Sequence, residues 1–311
     1  MILKYHNLKM DLSIIPLVLH QGTDTNYRIK ICVNFIQNDV HITTYSDTIT
    51  NLYLLEKINR FIRLLIQLNN QNIVYGTFQK SNHMNNYGVI IALNKQINIT
   101  EFYDKIKEID LTIFGYYVLP DKTITYLTVN NRLQNYYYNF IWYISLNSFV
   151  QINPYTGQNI HQIIDKLINK NNFNYYGLGG EMGVYLKRNL TIFRYYICLT
   201  NSQTIYDDYL INLSNKNIYL VDYDNINLKS FVTTENNNIL LVNISRNGLK
   251  NIASQINKIK FDQIIYIGCC DIAVNQDIKE LNNYKINQIF KLNQFPQTKY
   301  FIYIIDFTHL E

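Results

Sequence analysis

The chain has 311 residues, 48% of them hydrophobic, and a formal net charge of +5. That length holds one large domain or two smaller ones, and no apolar run approaches the roughly 18 residues that cross a bilayer, so the reading is a soluble protein with no membrane partner. The four cysteines, two of them adjacent, form neither a disulfide framework nor a spaced metal site, and the six histidines are scattered, so a reducing, cytoplasmic setting without a metal is expected.

The composition is rich in Asn, Ile, Tyr and Lys, with 28 tyrosines but only 4 prolines and 1 tryptophan. These residues share AT-rich codons, so genome composition accounts for much of the pattern. Tyrosines interleaved with Lys and Arg would suit base stacking, yet no block of like charge accompanies them, and the net charge favours a polyanionic partner only mildly.

In chain order, the opening stretch MILKYHNLKMDLSIIPLVLH is broken by Lys4, His6, Lys9 and Asp11, which argues against a secretory leader. NYRIKICVNFIQNDVHITTY alternates apolar and polar residues across a predicted hairpin, and LYLLEKINRFIRLLIQL has helical apolar spacing. NIVYGTFQKS, YGVIIALN and TITYLTV add short strands. The pattern changes near residue 145. A helix is predicted over about 155–170, then apolar runs at 173–177, 193–199, 217–221, 238–243 and 263–269 alternate with helical or polar stretches. That alternation predicts an α/β, mostly parallel, doubly wound Rossmann-like sheet over 146–311, preceded by a mixed α+β module over 1–145. INQIFKLNQF and KYFIYIIDF are read as a late antiparallel hairpin at the sheet edge.

In such a sheet, ligands lie at the carboxyl ends of the strands, and a glycine-rich turn after the first strand lets backbone approach them. YYGLGGEMG supplies Gly177, Gly179, Gly180 and Gly183, although glycines also serve a merely tight strand-to-helix turn. LLVNISRNGL (240–249) and IIYIGCCD (264–271) end near the same crevice in this reading. A thiol at such a tip, Cys269 or Cys270, is either a reachable nucleophile or a small residue closing a strand.

Together, SFVQINP (148–154), the glycine turn, VNISRNGL, IIYIGCCDIAVNQD and NQFPQT (293–298) resemble, in order and approximate spacing, the RNA (uracil-5-)-methyltransferases, which make 5-methyluridine in tRNA and ribosomal RNA. NYRIK (26–30) resembles the Tyr-Arg-x-Arg segment of the tRNA-type members. The resemblance implies a class I methyltransferase domain behind an RNA-binding-like domain, with S-adenosylmethionine as cofactor and a tRNA- or rRNA-like partner. It places the nucleophile at Cys269, cofactor contacts at Gln151, Gly180, Gly183, Asp224 and Asn243, and RNA contacts at Arg28, Lys30 and Arg246.

The chain also departs from that pattern. The general base, which removes the C5 proton, falls on Ile302, and the histidines of that stretch are replaced by Gln297 and Tyr300. The acid that holds the cofactor ribose falls on Leu199, the Asp-Pro-Pro acid on Asn243, the aspartate before the glycine turn on Asn174, and one turn glycine on Leu178. Asp271 or Asp306 could replace the base. Gln151 and Asn153, or Asp224, could instead cap helices. The expectation is an RNA-binding member degenerate as a methyltransferase. A divergent active enzyme and a structural component of a viral or organellar ribonucleoprotein are the alternatives.

Overall fold

The computed structural model describes residues 19–21, 27–36, 39–43, 51–68, 71–151, 153–168, 173–180, 182–213, 217–233, 237–244, 246–293 and 301–310. Up to residue 145 the elements are β1 (Leu19–Gln21), β2 (Arg28–Ile36), β3 (Asp39–Thr43), α1 (Leu52–Leu68), β4 (Ile73–Lys80), β5 (Tyr87–Leu93), α2 (Ile99–Ile106), β6 (Ile113–Val118), β7 (Thr125–Tyr126), β8 (Arg132–Tyr137) and β9 (Phe140–Ser145). Then follow α3 (Pro154–Leu167), β10 (Phe173–Gly179), α4 (Met182–Asn189), β11 (Phe193–Thr200), α5 (Gln203–Leu213), β12 (Ile218–Leu220), β13 (Asn238–Asn243), α6 (Asn251–Ile259), β14 (Gln263–Gly268), α7 (Asp271–Glu280), β15 (Tyr284–Asn293) and β16 (Ile302–His309).

These elements form two compact units. One holds Thr23–Gln158 together with Asp207–Asn212; the other holds Met1–Gly22, Asn159–Tyr206 and Leu213–Glu311. The division at Gln158 lies inside α3, beyond the change of pattern at residue 145.

The first unit is built on a sheet ordered β3-β2-β4-β5-β6-β7. The expected hairpin is β2–β3, closed at Ile36 and Asp39, and the expected helix is α1. Alternation decides the faces of β2: Ile29, Ile31 and Val33 are buried, while Lys30, Cys32 and Asn34 are exposed. Leu54, Ile58, Phe61 and Leu65 recur at helical spacing on α1 and join that core with Phe78, Ile91 and Phe114.

A separate hairpin, β8–β9, is tied down by Asp207–Asn212 of α5. Asn212 accepts from the Tyr143 N–H at 2.8 Å and donates to the Tyr143 carbonyl at 2.7 Å. Asp208 is buried and accepts from Arg132 Nε at 2.9 Å, from the Ser145 N–H at 2.9 Å, from Ser145 Oγ at 2.7 Å and from Ser148 Oγ. The segment after β9 lies close against the sheet, because a Cβ on Gly88 would sit 2.6 Å from a Leu146 methyl.

The second unit carries an eight-stranded sheet ordered β1-β15-β16-β14-β13-β10-β11-β12. β10 to β14 pair in parallel, and β16 runs antiparallel between β14 and β15. The late hairpin therefore does not end the sheet as expected: its second strand inserts beside β14, and β1 pairs with β15 outside it. All seven residues of β10 and all six of β13 are buried, as central strands covered on both faces require. Tyr176, Leu178, Leu240, Val242, Ile264, Tyr266 and Ile305 meet Ile252 and Ile256 of α6 in one core.

Candidate functional site

From β10 the chain steps outward to β11 and β12, then returns with β13 to the other side of β10. That reversal opens a crevice at the carboxyl ends of β10 and β13, the usual ligand position in a doubly wound sheet. Gly179 pairs with Asn243 at these ends and has φ +96°; a Cβ there would collide with the Asn243 carbonyl oxygen, so only glycine lets the tips meet. Gly180 follows directly, and Gly183 lies buried in the first turn of α4.

Asn243 is 5% exposed, and its Nδ2 has no hydrogen-bond partner among the described residues. A buried amide without a partner costs about 1–3 kcal/mol, so this donor at the crevice suits a polar ligand. Arg246, in the exposed turn behind it, is set on the same loop. There Gly248 has φ +75° and leans on the carboxylate of Asp277, which accepts from Tyr266 Oη at 2.6 Å and from the Leu249 N–H at 2.9 Å. Burial raises the Asp277 pKa despite these donors. No sequence pattern pointed to this pair, because its partners are 11 and 28 residues apart.

Cys269 follows Gly268 at the tip of β14 and is half-buried; Cys270 stands at the N-cap of α7, and Asp271 is exposed in its first turn. Gly268 pairs with Tyr303 at the end of the β14–β16 ladder, and Cys269 and Ile302 each lie one residue beyond that pair on their own segments. Ile302 is 2% exposed and pairs with Leu292 on its other side. Gln297 and Tyr300 lie outside the described residues.

Asp306 does not reach this tip. It pairs with Ile265, three residues back along β14 or roughly 10 Å at about 3.3 Å per residue. There it accepts from Gln263 Nε2 at 2.7 Å and Asn287 Nδ2 at 3.0 Å. Asn174 is likewise at the wrong end: it opens β10 and bonds Thr233 and Asn238, five residues before Gly179.

The β11 side of the crevice is filled by protein. Leu199 is buried, and Tyr223 Oη donates to its carbonyl at 3.0 Å while the backbones of Gly179 and Asn201 hydrogen-bond the same hydroxyl. Burial strongly raises the Tyr223 pKa, so the hydroxyl keeps its proton. Asp224 is exposed and caps no helix. Its N–H donates to Asp222 Oδ1 at 3.0 Å, and the following 3-10 turn begins after Asn227.

The remaining expected residues belong to the other unit. Gln151 lines a cavity there together with Arg28, which is half-buried. Arg28 Nη1 donates to the Ser148 carbonyl at 2.8 Å. Lys30 is exposed, with Nζ 3.5 Å from the centre of the Tyr75 ring. Asn153 caps α3, its Oδ1 accepting from the N–H groups of Tyr155 and Thr156 at 3.1 Å. Among the described residues no group of three His, Cys, Asp or Glu side chains is placed to hold a metal ion, and no helix is long and apolar enough to cross a membrane.

The fold is that of the class I methyltransferases: the strand order, with one antiparallel strand inserted beside the last parallel one, is theirs. No family model matches the chain. It is similar to the tRNA (uracil(54)-C(5))-methyltransferase of Pyrococcus furiosus, 25% identical over 162 residues, which cover 49% of this chain and 36% of that protein; the chain spans about a third of that relative's length. It also resembles the crystal structure of the Pyrococcus abyssi tRNA (uracil-54, C5)-methyltransferase in complex with S-adenosyl-L-homocysteine. The TM-score is 0.71 at 15% identity, over 94% of this chain and 79% of that one, a likeness of fold.

Proposed function

We propose that this protein binds RNA on a uracil-C5 methyltransferase scaffold and no longer turns over as a methyltransferase. The observation that carries the reading is the buried Ile302, which lies one residue beyond the Gly268–Tyr303 pair as Cys269 does. Methylation at C5 requires two things of the protein at this tip: a thiolate that adds to C6 of the uracil, and an acceptor that then takes the C5 proton so that the thiol can leave. Cys269, half-buried after the tip of β14, would supply the first. An isoleucine cannot do the second, Asp306 is held elsewhere by Gln263 and Asn287, and a missing general base costs about 10²–10⁴ in rate. Without that acceptor, addition of Cys269 to C6 merely reverses, and an adduct methylated at C5 would keep its C5 proton and could not release the thiol.

S-adenosylmethionine is the cofactor for which the crevice is suited, and it would supply the methyl group. Gly180, Gly183 and the unpaired amide of Asn243 would hold it. Leu199 offers no acceptor to its ribose, and the Tyr223 hydroxyl stands on that side. The partner class, a tRNA- or rRNA-like molecule, is supported by the P. furiosus relative and by Lys30 and Arg246, both exposed.

Fluorescence anisotropy with a labelled tRNA transcript tests the reading. Affinity should fall linearly in log–log form as salt rises, and Cys269→Ala should bind as the wild type does. Absence of binding at about 50 mM salt would overturn it.

A further inference from the structure

The cavity in the six-stranded unit gathers positive charge, with no negative charge beside it among the described residues. Arg28 opens β2 and pairs directly with Gln79 on β4, so both side chains emerge at the same end of the sheet, with Lys80 next along the strand. Tyr27, Asn82, Asn135 and Gln151 add polar groups to the lining, and among the described residues no carboxylate lines the cavity. The Ser148 carbonyl takes one of the five N–H donors of Arg28, and no acid pairs with the guanidinium among the described residues. Burial lowers its pKa, yet an arginine stays charged. A half-buried cation without a counter-charge among the described residues is costly, and one that opens on a cavity suits an anion.

Two further side chains point the same way. Lys80 Nζ donates to the Ser81 carbonyl at 3.0 Å and lies 5.5 Å from the centre of the Tyr27 ring, leaving ammonium donors over. Gln79 is 2% exposed, and its Oε1 has no partner among the described residues. A half-turn of that amide exchanges its oxygen and nitrogen ends, which presents Nε2 to an acceptor and removes the orphan. The space is about 220 Å³ including its open mouth. Little of that space is enclosed, so it takes at most a single small group.

We propose that this cavity binds one phosphate group, held by the planar fork of Arg28, the ammonium of Lys80 and the rotated amide of Gln79. The site stands on its own geometry; assigning the phosphate to an RNA backbone rests on the RNA-binding reading above.

Thermal unfolding of the full chain in sodium phosphate, against sodium chloride of equal ionic strength, tests the site. The wild type should show a saturable rise in Tm with phosphate that chloride does not produce. Arg28→Met should abolish the rise, and Lys80→Met and Gln79→Met should shift it to at least tenfold higher phosphate. If Arg28→Met does not fold, as judged by circular dichroism, the other two variants decide. An equal response to both salts, or a phosphate response kept by folded Lys80→Met and Gln79→Met, would overturn the proposal. Anisotropy with the tRNA transcript then separates the sources. Should the phosphate be the RNA's, Lys80→Met reduces the log–log salt slope by about 0.7–0.9. An unchanged slope alongside a lost phosphate response assigns the site to a free phosphate compound, and a failure of all RNA binding would leave the phosphate response intact.

Discussion

Tyr223 donates its hydroxyl proton to the carbonyl oxygen of Leu199 at 3.0 Å, and the backbones of Gly179 and Asn201 hydrogen-bond the same hydroxyl. One side chain thereby joins the tips of the first two parallel strands, where nucleotide-binding sheets hold a ribose with an acid on the second strand. Here a tyrosine makes those bonds from within the chain.

If Tyr223 competes with a cofactor for this space, weakening its hold should improve binding. The net worth of a hydrogen bond is about 0.5–1.5 kcal/mol, so Tyr223→Phe should tighten S-adenosylhomocysteine by up to about tenfold, and Tyr223→Ala by more. Isothermal titration measures both. Affinity that is equal or weaker in Tyr223→Ala, with the protein folded, would show that the ring does not obstruct the crevice.

Asp208 gathers Arg132, two N–H or O–H donors of Ser145, and Ser148 around one buried carboxylate. Removing one partner of a buried pair strands the rest, at about 3–5 kcal/mol. Asp208→Ala should lose that much stability in urea unfolding, whereas a loss below about 1 kcal/mol, the range of surface pairs, would mean the cluster is slack.

His161 lies buried in α3, with its ring 5.6 Å from that of Tyr185. Burial, and secondarily the charge of Arg188, lower its pKa to about 3 from 6.5. The unfolded chain therefore takes up a proton below about pH 6.5 that the folded chain refuses. This contribution to stability is full above pH 6.5, falls as pH drops from 6.5 towards about 3, and is level below that. By pH 5 the loss should be about 2 kcal/mol, from 1.36 kcal/mol per unit. His161→Phe should flatten that part of the stability–pH curve, and an unchanged slope would place the acid sensitivity elsewhere.

The parallel sheet was legible because β10, β13 and β14 are apolar on both faces, so each reads as an unbroken run ended by a polar or glycine tip. The helix α1 was legible because Leu54, Ile58, Phe61 and Leu65 keep one face. Strand length was harder to see. A run read as 173–177 continues to Gly179, which moves Asn174 away from the tip. The insertion of β16 beside β14 depends on pairing between strands more than thirty residues apart, and local patterns carry no record of it. The hydrogen bond of Arg28 was hidden for the same reason: its partner, Ser148, is 120 residues away. Of the proposed site, Cys269 and Ile302 were readable from their motifs. The Tyr223–Leu199 bond and the Asp208 cluster were not, since both join residues whose order in the chain says nothing of their contact.

The most direct test is to incubate the protein with an unmodified tRNA transcript and S-adenosylmethionine carrying a labelled methyl group, and to analyse the nucleosides by mass spectrometry. The buried Ile302, one residue beyond the Gly268–Tyr303 pair as Cys269 is, predicts bound RNA and no 5-methyluridine above the level seen with Cys269→Ala. Labelled 5-methyluridine that disappears in Cys269→Ala would contradict it, and would require a proton acceptor at the crevice other than residue 302.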